Sequence, residues 1–174
     1  ETGLDRPVSG LVLIAKNKSA AAKYSTLMQK EGGFNKQYEA LICGKLSELK
    51  GTFVEYLKKD GRTNTSAVVP SDDAANDKEA KLSKLEYEVI SYDEVKDITH
   101  VRIHLITGRH HQIRVQFASR RHPLVGDYKY ATADCGMDNA VKAVALKRNQ
   151  IALCAVSLTI ENETFRVTPE FSIG

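Results

Sequence analysis

Residues 105–130 read LITGRHHQIRVQFASRRHPLVGDYKY. Just before them, apolar and polar residues alternate over residues 99–105, and this period of two predicts a half-buried strand. The alternation ends near Thr107, after which Ile113 and Phe117 recur at helical spacing. The stretch therefore predicts a strand that leads into a helix, with Thr107 as the N-cap.

Cationic and titratable side chains crowd this junction. A helix here places His110 and His111 one turn away from Arg114, and Arg109 lies next to them. Together with the backbone N–H groups of a first helical turn, these side chains suit an anionic partner. A solvated basic helix face is the alternative interpretation.

Composition excludes several classes of protein. The chain has 174 residues, enough for one domain with a hydrophobic core. Lys and Arg total 25 against 22 acidic residues, so the net charge of +3 does not by itself indicate a nucleic-acid ligand. No apolar run reaches the roughly 18 residues that a membrane-spanning helix needs, which predicts no membrane partner. Three scattered cysteines predict reduced thiols rather than a disulfide framework or a zinc site.

Other segments show their own periodicity. Residues 61–81 are polar and predict a long loop, and residues 82–92 predict a strand paired antiparallel with residues 99–105. Ser19 predicts the start of a helix over residues 20–30. The remaining predicted elements are strands at residues 10–15, 36–46, 52–57, 151–161 and 164–168 and a helix at residues 139–147. Together they predict an α+β fold with a mixed, mostly antiparallel sheet flanked by a few helices.

Asp5 lies in a second dense stretch, LDRPVSG at residues 4–10. It comes just before a predicted turn and strand, where a carboxylate can be held at the mouth of a cleft. Asp before Pro and Ser is also an ordinary turn or capping residue. The residues alone leave both interpretations open.

Four segments, in order along the chain, resemble the RluA/RluD-type RNA pseudouridine synthases. LDRPVSGLVLIAK at residues 4–16 resembles the segment around the family's catalytic aspartate, and KQYEALICG at residues 36–44 resembles its Lys-x-Tyr-x-Ala strand. Residues 107–130 resemble its Thr-Gly-Arg-x-His-Gln-Ile/Leu-Arg block and the His-Pro-Ile-x-Gly-Asp-x-x-Tyr pattern after it. IALCAVSLTI at residues 151–160 resembles its Leu-x-Leu-His-Ala strand. The resemblance implies a pseudouridine synthase-like fold.

The resemblance also implies a reaction, the isomerisation of specific uridines to pseudouridine in structured RNA, without metal or other cofactor. Asp5 is then the nucleophile, and Arg114 pairs with it and keeps it ionised. Tyr38 stacks on the target base, and its hydroxyl accepts or relays a proton at C5. Leu153 packs against the flipped base, which must leave its stack to reach the pocket. The remaining candidates for binding the RNA are Arg109, His110, Lys36, Arg6 and Lys129.

The start of the chain departs from the family pattern. Thr2-Gly3 stands where the family has His-Arg, and the family domain begins earlier, with a strand and a Lys-Pro-x-Gly segment. We therefore expect residues 1–174 to form a single catalytic domain that lacks its N-terminal part, with residues 1–3 a scar of processing or expression. We expect a monomer that acts on ribosomal or transfer RNA in the cytoplasm, or in a mitochondrion or other organelle of a eukaryotic cell.

Three alternatives remain open. The chain can be a non-catalytic RNA-binding relative or an inactive fragment of such an enzyme. It can be a thiol hydrolase that uses Cys43 or Cys154 with a histidine and an acid. It can hold a metal ion through histidines, because His100 and His104 share one face of a predicted strand.

Overall fold

A computed structural model of the chain describes residues 7–29 and 34–174. These residues contain eight strands, all in one sheet, and four helices. The strands are β1 Ser9–Gly10, β2 Phe34–Cys43, β3 Lys50–Asp60, β4 Thr65–Val69, β5 Lys81–Asp93, β6 Ile98–Leu105, β7 Leu153–Ile160 and β8 Glu163–Arg166. The helices are α1 Lys18–Gln29, α2 Ser71–Ala74, α3 Gln112–Ala118 and α4 Met137–Ala143. None of these helices is long and apolar enough to cross a membrane.

The sheet is mixed and mostly antiparallel, as the sequence predicts. Its order is β1-β7-β2-β6-β5-β3-β4, and β8 also pairs with β7. Within this sheet β1 runs parallel to β7, and the other pairings are antiparallel. The predicted antiparallel pair of residues 82–92 with residues 99–105 is confirmed as β5 and β6.

Both faces of β7 and of the C-terminal half of β2 are buried. Along β2, Tyr38 and Ile42 belong to a core cluster that includes Phe117 of α3. The alternate residues Leu41 and Cys43 belong to a second cluster that includes residues of α4. Since side chains of a strand alternate between its faces, α3 and α4 cover opposite sides of the sheet. Burial on both faces explains why β2 and β7 are rich in apolar residues.

Helix α3 begins later than the sequence predicts. It starts at Gln112, after His111, whose backbone is left-handed at φ 53°. The prediction of Thr107 as N-cap is wrong, because its Oγ1 accepts the Lys84 N–H at 2.8 Å and donates to Gln112 Oε1 at 2.8 Å. His110 therefore lies in a loop before the helix and not one turn from Arg114 on its surface.

The prediction of a long loop over residues 61–81 is wrong. These residues contain β4 and the short helix α2. Strand β4 pairs with β3, with Val68 opposite Leu57 and Ser66 opposite Lys59, so the two strands form a hairpin around residues 61–64. The sequence shows no period of two here, because the apolar residues of β4, Ala67, Val68 and Val69, are consecutive and do not alternate with polar ones.

Three smaller predictions also need correction. The strand expected over residues 10–15 is only Ser9–Gly10, since the chain leaves β7 after the Leu11 N–H donates to the Ala155 carbonyl. Asn17, not Ser19, caps α1, with its Oδ1 accepting the Ala20 N–H at 2.8 Å. The helix expected over residues 139–147 is α4, which begins and ends earlier.

Candidate active site

One cavity, of about 540 Å³, lies between β2 and the loop that leads into α3. Tyr38, Arg114 and Leu153, which come from distant parts of the chain, all line it. The volume is within the roughly 300–1,000 Å³ of sites that bind small molecules or single nucleotides. Three of the predicted RNA-binding residues also line it: Lys36, Arg109 and His110.

Tyr38 lies near the start of β2, opposite Ile103 of β6 and Ala155 of β7. Its side chain is 7% exposed and belongs to the core cluster on the α3 side of the sheet. Burial raises the pKa of the Tyr38 phenol to about 12. The phenol is therefore protonated at neutral pH, and it faces the cavity as a hydroxyl and not as a phenolate.

Arg114 is held in the first turn of α3 by a buried carboxylate. Its Nε and Nη2 donate to Asp127 Oδ2 and Oδ1, both at 2.7 Å. The two side chains are 6% and 1% exposed, so this is a buried bidentate pair. Such a fork fixes the plane of a guanidinium as well as its position. Asp127 thus determines the orientation in which Arg114 meets the cavity.

Asp127 is a site residue that reasoning from the sequence missed. The resemblance includes this Asp only as part of the His-Pro-Ile-x-Gly-Asp-x-x-Tyr pattern and gives it no role. The signal in the sequence is that Asp127 closely follows two apolar residues, which favours its burial. A fully buried aspartate requires a cationic or hydrogen-bonded partner. The buried residues Leu124 and Val125 just before it make an exposed turn there improbable.

His111 and Tyr130 hold the other side of Arg114. The Nη1 of Arg114 lies 3.2 Å from His111 Nε2. Because arginine can only donate, Nε2 is the acceptor, and the proton of the neutral ring is on Nδ1. That N–H donates to the Tyr130 hydroxyl oxygen at 2.6 Å. The Tyr130 ring lies against the guanidinium, with 5.0 Å from Cζ to its centroid, a cation–π contact.

The turn between β3 and β4 and the start of β4 contact Tyr130 and the neighbouring His110. Tyr130 accepts the Ser66 N–H at 2.8 Å, and the Ser66 hydroxyl lies 2.8 Å from His110 Nδ1. His110 Nε2 lies 3.1 Å from Asn64 Oδ1, and Lys129 Nζ donates to the Asn64 carbonyl at 2.8 Å. The segment that the sequence assigned to a loop is therefore tied to the rim of the cavity through Asn64, which lines it.

Gln112 organises the loop before α3. Its side chain is 3% exposed, and its Oε1 accepts the Thr107 hydroxyl and the Arg109 N–H at 2.8 and 2.9 Å. Its Nε2 donates to the Lys84 carbonyl at 3.1 Å, which ties the loop to β5. This buried amide fixes the backbone from which Arg109 and His110 project.

The other predicted site residues fall in different places. Burial lowers the pKa of the Lys36 ammonium group. Lys129 does not line the cavity and is exposed at a neighbouring cleft. Asp5 and Arg6 lie outside the described residues, and so does the predicted contact of Asp5 with Arg114.

The thiol hydrolase has no support in this geometry. Cys43 and Cys154 are buried, and neither is among the described residues that line the cavity. Burial raises the pKa of Cys43 to about 12 and raises that of Cys154. A thiol with a raised pKa is a poor nucleophile, because the thiolate is the reactive form.

The histidines of β6 face carboxylates on neighbouring strands. His100 Nε2 lies 2.9 Å from Glu39 Oε2, and His104 Nδ1 lies 3.7 Å from Glu86 Oε2. Over residues 7–29 and 34–174, no group of three or more His, Cys, Asp or Glu side chains is arranged to hold a metal ion.

Comparison with known proteins identifies the family to which this arrangement belongs. Residues 3–119, more than half of the chain, match the family described as RNA pseudouridylate synthase. The chain belongs to that family. Ribosomal large subunit pseudouridine synthase D of Blochmanniella floridana is 36% identical over 129 residues, which is 73% of this chain and 36% of that protein. The protein of the same name from Vibrio vulnificus is 30% identical over 162 residues, 91% of this chain and 46% of that one.

These relatives confirm the predicted resemblance: within its family, the chain is of the RluA/RluD type. The structure of human RNA Pseudouridylate Synthase Domain Containing 1 superposes with a TM-score of 0.67 at 24% identity, covering 89% of this chain and 62% of that one. This likeness confirms the predicted fold class. The chain spans less than half the length of the two curated relatives.

Proposed function

We propose that this chain isomerises specific uridines to pseudouridine in structured ribosomal or transfer RNA, with Asp5 as the nucleophile. The observation that supports the proposal most is the meeting of Tyr38, Arg114 and Leu153 around one cavity of nucleotide size. Family membership gives that meeting a chemical meaning, because three of the four segments behind the resemblance contribute these side chains.

The reaction is an isomerisation and involves no net oxidation or reduction. The bond between N1 of uracil and C1′ of the ribose breaks, the base turns, and C5 bonds to C1′. C5 loses a proton and N1 gains one, so the product is an isomer of the substrate. An ionised aspartate beside the sugar can assist this exchange as a nucleophile. Arg114, fixed by Asp127 and His111, is the group that we assign to hold the Asp5 carboxylate ionised and directed at the sugar.

Tyr38 is assigned to the base. Its ring offers a face for stacking, and its hydroxyl is protonated at neutral pH because its pKa is about 12. A protonated hydroxyl can accept the C5 proton only while passing its own proton on, so we assign it the role of a relay. Leu153 is assigned to pack against the flipped uracil, and Lys36 and Arg109 are assigned to phosphates of the RNA.

Nucleoside analysis of a uridine-containing ribosomal or transfer RNA after incubation with the chain tests this proposal. We expect pseudouridine with the unaltered chain. We expect none with Asp5→Asn, which removes the nucleophile and keeps its size, while RNA binding stays unchanged. Binding by both proteins without product in either would overturn the proposal in favour of a non-catalytic relative.

A further inference from the structure

A second cavity, of about 400 Å³, adjoins the first. Arg114 lines both cavities, and its partner Asp127 lines the second. The rest of the second cavity is formed by the loop after α4 and by the turn that contains Lys129. The cavity therefore begins where the candidate active site ends, with the Arg114–Asp127 pair in its wall.

Besides Arg114, three cations line this second cavity: Lys129, Lys147 and Arg148. All three residues are exposed. Among its described lining residues the only carboxylate is Asp127, whose two oxygens are engaged by Arg114 at 2.7 Å. Among the described lining residues, the cations therefore outnumber the single carboxylate.

Lys147 pairs with Glu170, which is not among the described residues that line the cavity. Its Nζ lies 2.8 Å from Glu170 Oε2, and the two side chains are 75% and 65% exposed. Exposed pairs of this kind are weak because water and salt screen them. A phosphate group can therefore replace Glu170 as the partner of Lys147 at little cost.

The two cavities are also joined along their rims. Lys129 of the second cavity donates to the carbonyl of Asn64, a residue that lines the first. Apolar side chains of Val141, Leu146 and Ile151 add to the lining of the second cavity. Cations beside an apolar surface suit a ribose-phosphate strand, since phosphates take the charge and sugars or base faces contact the apolar groups.

We propose that this second cavity binds the backbone phosphates of the RNA strand next to the flipped uridine, through Lys147 and Arg148. The proposal rests on the proposed function, because it assumes that the first cavity holds the uridine. A strand that delivers one nucleotide into the first cavity has to cross an adjoining surface. This one is basic and shares Arg114 with the active site.

The test compares two double variants of equal charge. Lys147→Ala with Arg148→Ala removes two of the cavity's cations, which are exposed and so dispensable for folding. Lys45→Ala with Arg102→Ala is the control. Lys45 lies just after the C-terminal end of β2, whereas Lys36 of the first cavity lies near its start, and Arg102 lines a separate groove. Binding of a fluorescein-labelled single-stranded RNA that contains uridines is measured by anisotropy at several salt concentrations.

We expect the slope of log K against log salt to become shallower by about 1.4 in the Lys147/Arg148 variant, the value for two lost single-strand phosphate contacts. The control variant should lose distinctly less, because long-range charge acts weakly in salt. Equal slopes in the two variants would overturn the proposal. Poly-glutamate is tested as a second ligand. If the Lys147/Arg148 variant loses affinity for poly-glutamate and not for RNA, the proposal is also overturned, because the cavity would then bind an acidic protein segment.

The two proposals fail in different ways. If the unaltered chain makes pseudouridine and the Lys147/Arg148 slope equals that of the control, the phosphate site is wrong and the proposed function stands. If the slope changes as expected and the unaltered chain makes no pseudouridine, the cavity binds RNA and the proposed function is wrong.

Discussion

Replacing Asp127 by asparagine removes the charge that balances Arg114 and changes the size of the side chain very little. The pair is 6% and 1% exposed, with both N–H groups 2.7 Å from the carboxylate oxygens. The amide keeps one acceptor and turns an NH2 group towards the guanidinium N–H groups. Breaking one side of a buried ion pair typically costs about 3–5 kcal/mol, and we expect the free energy of unfolding to fall by about that amount.

Urea unfolding followed by far-UV circular dichroism measures this loss. The matched control is Asp134→Asn, because Asp134 pairs with Arg121 at 3.6 Å with side chains 81% and 76% exposed, and such pairs contribute little. A second comparison uses Arg114→Met together with Asp127→Leu, which removes both charges and should destabilise less than Asp127→Asn alone. The reasoning is refuted if Asp127→Asn destabilises the chain no more than Asp134→Asn.

Three further outcomes follow from the site. The Tyr38 pKa of about 12 lies above the roughly 10 of an unfolded tyrosine, so its contribution to stability is complete below pH ~10 and is lost as pH rises towards 12. Between pH 8 and pH 11, one unit above the unfolded pKa, the loss in the free energy of unfolding is about 1.4 kcal/mol, and Tyr38→Phe should remove it in urea unfolding at these two pH values. An identical loss in both proteins would contradict this. Tyr130→Phe leaves the Ser66 N–H without its acceptor and should lower the free energy of unfolding by about 1–3 kcal/mol. It should also reduce turnover at saturating RNA more than it reduces the affinity for RNA. Cys43 and Cys154 should resist iodoacetamide in the folded chain and react after unfolding in urea, as peptide mass spectrometry can show.

Much of the sheet follows from periodicity alone. Residues 82–92 and 99–105 show the period of two because one face of each strand is buried and the other is more exposed to water. As this pattern predicts, β5 and β6 pair with each other. Periodicity does not predict β4, because it is an edge strand of five residues whose apolar residues do not alternate with polar ones. It is stabilised by its pairing with β3 and by the contact of Ser66 with Tyr130. Periodicity cannot report contacts of that kind.

The start of α3 shows a second limit. Thr107 precedes an apolar helical pattern and so fits an N-cap, yet its hydroxyl is used by Lys84 and Gln112 from other parts of the structure. Capping propensity is local, whereas this choice is tertiary. The same limit applies to Asp127, whose partner could be chosen only once α3 and the turn after it were placed side by side.

The resemblance to the family guided the choice of Tyr38, Arg114 and Leu153, and the structure brings these three to one cavity. Their roles, and the role of Asp5, stay predictions. The sequence placed His111 one turn from Arg114, but it did not suggest that Asp127 and Tyr130 also contact the guanidinium. These residues are recognised by the atoms that they present to Arg114, which a pattern of letters does not show.

Release of tritium from RNA labelled at C5 of uridine tests the central claim most directly, because C5 must lose its proton when it bonds to the sugar. We predict that the unaltered chain releases tritium to water. We predict that Asp5→Asn, Arg114→Met and Tyr38→Phe each bind the RNA and release little or none. A chain that binds the RNA without releasing tritium, or variants that release it as fast as the unaltered chain, would contradict the account.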